Sequence, residues 1–112
     1  MLKIIIFLGL VIFNNLQSED HYRKAMECMR IGKYYNAIAI FNYLKYSSCY
    51  YDKSRAVLKL AQIYGGIFKN FPLRPQKEKA ISFLEMILNP NSEYNDYHRE
   101  EAQKLKDVIL SS

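Results

Sequence analysis

Apolar residues recur at steps of three and four along nearly the whole chain, and no alternating run lasts long enough to predict a strand. The expectation is an all-α protein. A first helix is predicted from about Ser18 to Asp20, where a capping side chain and two acids favour a helix start, to about Ile31, with Gly32 ending it. A second, from about Tyr34 to Tyr46, places Tyr34, Ala37, Ile38, Phe41 and Leu44 on one side. A third, capped by Asp52 or Ser54, turns Val57, Leu60, Ala61 and Tyr64 inward and stops at Gly65 and Gly66. A fourth, from about Gln76 to Leu88, buries Ala80, Phe83, Leu84, Ile87 and Leu88 and cannot pass Pro90. A fifth, from about Tyr94 to Leu110, carries Tyr97, Ala102, Leu105, Val108 and Ile109 amid charges, as a terminal cap with one wet face would. Between the third and fourth lies "IFKNFPLRP", aperiodic and rich in proline. It is apolar as well, so Ile67, Phe68, Phe71 and Leu73 are expected to pack back on the helices rather than form an exposed surface.

The amino terminus breaks this pattern. "MLKIIIFLGLVIF" has one charge, Lys3, followed by ten residues without any. Such a run is short for a membrane span, which takes about 20 apolar residues, and fits the core of a secretory signal. Ser18 is a suitable small residue before a cut, although Leu16 is larger than the residue usual two positions earlier. The alternative is a retained anchor lengthened by Asn14, Asn15 and Gln17. Either way the expected division is a signal or anchor over 1–18 and a helical domain over 19–112, exported to the periplasm or beyond the cell, or held at a membrane.

Removing 1–18 leaves 15 basic and 11 acidic side chains. The basic residues are scattered and interleaved with acids, unlike the blocks that bind nucleic acid, so no nucleic-acid partner is expected. A domain this small buries only about 60% of its unfolded surface, so its stability margin is thin. Ten tyrosines and six phenylalanines supply large core groups. Cys28 and Cys49 are the only cysteines; a disulfide is possible in an oxidising compartment, but a free, buried Cys28 is the expectation.

The helices also repeat. Gly32, Tyr34, Ala37 and Phe41 fall on the second half of the tetratricopeptide pattern, including its Ala-x-x-x-Phe step. Leu60, Ala61 and Tyr64 match its Leu-Gly-x-x-Tyr step with alanine for glycine, and Ala80 with Leu84 repeats the small-to-large step. A small residue opens a notch that a large residue of the neighbouring helix fills. Over Ser18 to Leu110 the chain therefore resembles tetratricopeptide-type proteins. Ala25 to Ala61 is 36 residues and Ala37 to Ala80 is 43, against a family period of about 34. The longer connection, with Lys79 and Ala80 opening the next helix, is similar to Sel-one-like repeats. "FNYLKYSSCYYDKSRAVLKLAQIY" is also similar in layout to repeats of periplasmic outer-membrane assembly lipoproteins, but no cysteine follows the apolar core to carry a lipid. The resemblance implies a short right-handed array of helical hairpins, about five helices in all.

The residues carry no familiar catalytic signature. No serine is followed three residues later by lysine and no Lys-Thr-Gly occurs, as a serine beta-lactamase needs. His21 and His98 stand far apart without metal-ligand spacing and read as surface or capping residues. No cofactor or metal is expected. The expected function is a non-enzymatic scaffold for a protein or peptide partner; the alternative is an exported effector or enzyme whose site the sequence does not reveal. In the tetratricopeptide register the resemblance places Tyr22, Met26 and Met29 of the first helix and Arg55, Leu58 and Gln62 of the third in a concave, partner-binding groove. Contact with a membrane is expected only through an uncleaved amino-terminal segment.

Overall fold

The computed structural model describes residues 18–68, 71, 74–90, 94 and 96–112. The amino-terminal segment and Leu73 lie outside them. Five helices and no strands occur among the described residues: α1 (Ser18–Arg30), α2 (Tyr34–Leu44), α3 (Tyr50–Tyr64), α4 (Lys77–Leu88) and α5 (Tyr97–Ser111). Each packs on the next. In addition α1 touches α3 and α3 touches α5, whereas α2 and α4 do not meet.

Backbone chemistry stops α1 and α3 in the same way. Gly32 takes φ 85° and Gly66 takes φ 78°. After α1, the Gly32 N–H donates to the Met29 carbonyl and the Lys33 N–H to the Cys28 carbonyl. After α3, Gly66 donates to Ile63 and Ile67 to Gln62. This paired closure satisfies carbonyls that a helix end would otherwise orphan.

Small residues let the helices close on one another. Ala25, Ala37, Ala56, Ala61, Ala80 and Ala102 are all fully buried, and Phe41, Leu44, Leu60, Ile63, Leu84, Ile87 and Ile109 fill the space between them. Each such large side chain contributes about 1.5–3 kcal/mol relative to exposure. Helix α3 is buried around most of its circumference because it touches all four other helices. The predicted inward faces of α2 and α4 are present, with Tyr34, Ile38 and Leu88 half-buried. The apolar connection packs back where it is described: Phe71 meets the Tyr34 ring at 4.5 Å, and Phe68 lies against the core, while Ile67 is exposed.

Four further expectations, besides the packing of Ile67, need correction. Asp52 and Ser54 do not cap α3, which begins at Tyr50; both are buried within its first turns, where Ser54 Oγ donates to the Tyr50 carbonyl. Tyr97 and Val108 are exposed, because the buried stripe of α5 runs through Ala102 and Ile109 instead. His98 is not a surface histidine but 3% exposed, since α5 lays it against α3. Cys28 is half-buried rather than buried, and Cys49 is exposed; both are free thiols, near opposite ends of the helices.

Candidate functional site

Along α3, Arg55, Leu58, Lys59 and Gln62 are three, four and seven residues apart and therefore share one helix face. Because α1 and α5 flank that face, it meets Tyr22 on one side and Tyr97, His98 and Glu101 on the other. Together with Tyr51 these residues line a recess of about 230 Å³.

Arg55 is its centre. The guanidinium carbon lies 3.7 Å from the centre of the Tyr22 ring and 5.1 Å from that of Tyr51. Its Nη2 stands 2.7 Å from Asp52 Oδ1, and the two side chains are only 17% and 7% exposed. Charge and ring quadrupole thus hold the cation across the α1–α3 contact, the ring being worth about 0.5–2 kcal/mol. Yet Nε and Nη2 are buried without a hydrogen-bond partner among the described residues, the contact of Nη2 with Asp52 being an ion pair. Gln62 Oε1 and His98 Nδ1 are in the same condition. Four described residues carry a buried, partnerless side-chain atom, and all but Arg99 line this recess. Unsatisfied polar atoms cost about 1–3 kcal/mol each, so their clustering marks a place shaped by something other than stability.

Titration follows from the same packing. Burial pushes the His98 pKa below its ordinary value, partly opposed by Glu101 and aided by Arg55. Burial also lowers that of Lys59, again opposed by Glu101. The Tyr22 hydroxyl is raised by burial, with Arg55 pulling the other way. At neutral pH the recess therefore presents a neutral imidazole between the Tyr51 and Tyr97 rings, 5.0 and 5.3 Å away centre to centre, facing a fixed cation. Such a set offers donors, an acceptor amide and ring faces, which is the equipment for gripping a polar ligand group.

Of the six residues assigned to the groove from the sequence, the fold brings Tyr22, Arg55, Leu58 and Gln62 to this recess. Met26 and Met29 are not among its lining residues; they are half-buried against the core. Tyr51, Lys59, Tyr97, His98 and Glu101 were missed. Carrying the register of α1 and α3 forward to α5 would have pointed to the last three, had α5 been read as the next member of that series rather than as a cap. Comparisons with known protein families, with curated proteins and with solved structures gave no match, so the site is interpreted from its own geometry.

Proposed function

We propose that this chain is an exported or membrane-anchored, non-enzymatic scaffold built as a short tetratricopeptide-like or Sel-one-like hairpin array, which holds a partner polypeptide on the face formed by α1, α3 and α5. The order of helix contacts supports the array: each hairpin packs on the next, and every first helix also touches the first helix of its neighbour. The observation that carries the binding role is the recess itself, where Arg55, Gln62 and His98 keep partnerless polar atoms among tyrosine rings. A partner's carboxylate meets Arg55, and its apolar side chain lies on Tyr22 and Tyr97.

The test must spare the core. Leu58 is only 6% exposed, so a charge there would unfold the chain rather than probe the face. Exposed Tyr97 and Glu101 are the suitable positions. A Tyr97→Ser, Glu101→Lys variant with wild-type circular dichroism is expected to lose the proteins that wild type enriches from the host envelope fraction. Retention of every wild-type partner by the folded variant overturns the assignment of this face.

A further inference from the structure

Successive helices run antiparallel, so one end of the molecule collects the amino-terminal ends of α1, α3 and α5 and the carboxy-terminal ends of α2 and α4. Ring contacts confirm the grouping: His21 of α1 lies 5.6 Å from Tyr43 of α2, and Tyr51 of α3 lies 5.0 Å from His98 of α5. Six described tyrosines are exposed, and five of them, Tyr43, Tyr46, Tyr50, Tyr51 and Tyr97, stand at this end; only Tyr35 is at the other. Tyr46 is 80% exposed. A tyrosine has an apolar ring and a hydroxyl that prefers water or phosphate, and it concentrates where bilayer meets water.

The charges of this end suit the same neighbour. Asp20 stands 3.6 Å from Arg23, Asp52 beside Arg55, and Asp96 3.1 Å from Arg99, so these carboxylates are each offset by an arginine. Lys24 and Lys45 add positive charge, which exposed Glu101 of α5 partly offsets, and the three helix amino termini outnumber the two carboxy termini gathered here. The chain's apolar run, Met1 to Phe13, also leads into this end, because Ser18 opens α1. Only Asn14 to Gln17 separate them. From Phe13 to Ser18 is five residue steps, so at about 3.5 Å per residue that tether reaches no more than about 18 Å. If the run is held in a bilayer, whose polar zone is about 5–7 Å deep on each side, the tyrosine end cannot move far from the surface.

We propose that this end of the protein rests on a phospholipid surface, with Tyr43, Tyr46 and Tyr50 at headgroup level. The inference rests on retention of the amino-terminal segment as an anchor, and it is independent of what the α1–α3–α5 recess binds. It leaves that recess opening beside the membrane, since Tyr51 and Tyr97 belong to both surfaces.

The chain has no tryptophan, so a single one reports its own surroundings. Full-length Tyr46→Trp and Tyr35→Trp variants are synthesised cell-free with vesicles of phosphatidylcholine and phosphatidylglycerol in equal parts and recovered by flotation. Circular dichroism checks the fold of each. The expected result is that Trp at position 46 emits at shorter wavelength and is quenched by acyl-brominated lipid, while Trp at position 35 behaves as in water. A chain that does not float with vesicles overturns the anchor and the docked end together. A chain that floats with the position-46 emission still water-like overturns the docked end and leaves the anchor standing.

Discussion

The Arg55 guanidinium on α3 spans two helices, stacking 3.7 Å over the Tyr22 ring of α1 while holding the Asp52 carboxylate of its own helix at 2.7 Å. Both members of the ion pair are largely buried, so removing one leaves the other poorly compensated in a medium that opposes charge. Arg55→Met is expected to destabilise the fold by about 3 kcal/mol or more. Asp52→Asn combined with Arg55→Met should recover much of that loss, because no buried carboxylate then remains. Urea unfolding of the two variants beside wild type decides it; a double variant weaker than Arg55→Met alone would contradict this account.

The helix contacts give a second expectation. Ala37 and Ala80 are fully buried at positions where neighbouring helices approach closely. Leucine at either site overfills the contact and should cost about 1–3 kcal/mol. In a chain this small that is enough to lower the thermal midpoint clearly, and unchanged melts for Ala37→Leu and Ala80→Leu would show that these alanines do not set the spacing.

Gly32 and Gly66 share a left-handed backbone but differ in surroundings. A Cβ on Gly32 would meet nothing within 4 Å, whereas one on Gly66 would lie 2.8 Å from Pro75 Cγ. Gly32→Ala should therefore carry only the conformational cost, about 1–2 kcal/mol. Gly66→Ala should be the more damaging, because the connection carrying Pro75 must also move. Equal losses in chemical denaturation would remove Pro75 from the explanation.

Burial holds the His98 imidazole below its ordinary pKa, so the folded protein takes up that proton at lower pH than the unfolded chain does. Its contribution is complete above about pH 6.5 and is lost as pH falls through the folded-state value. Thermal stability should accordingly decline on acidification from about pH 7.5 to about pH 5.5. His98→Gln, which cannot titrate, should show a shallower decline over that interval. Parallel pH profiles for the two proteins would mean that His98 is not the group responsible.

Local sequence determined the five helices and the glycine stops of α1 and α3, because those features depend on neighbours within about one turn. Ala37, Phe41 and Leu44 are spaced to share a face wherever the helix lies, and a glycine at φ above zero ends a helix whatever surrounds it. Four of the six residues assigned to the groove, Tyr22, Arg55, Leu58 and Gln62, were reached through the repeat register, which is itself a statement about stacked helices. Only the tertiary structure decided the rest. Asp52 and Ser54 look like capping residues until α3 is seen to begin before them, and His98 looks like a surface residue until α5 is laid against α3. Tyr97, one position earlier, is turned to solvent by the same placement. Burial of a polar side chain, and its meeting with Arg55 and Gln62 across separate helices, depends on which faces are packed together, and helical period alone carries no record of that.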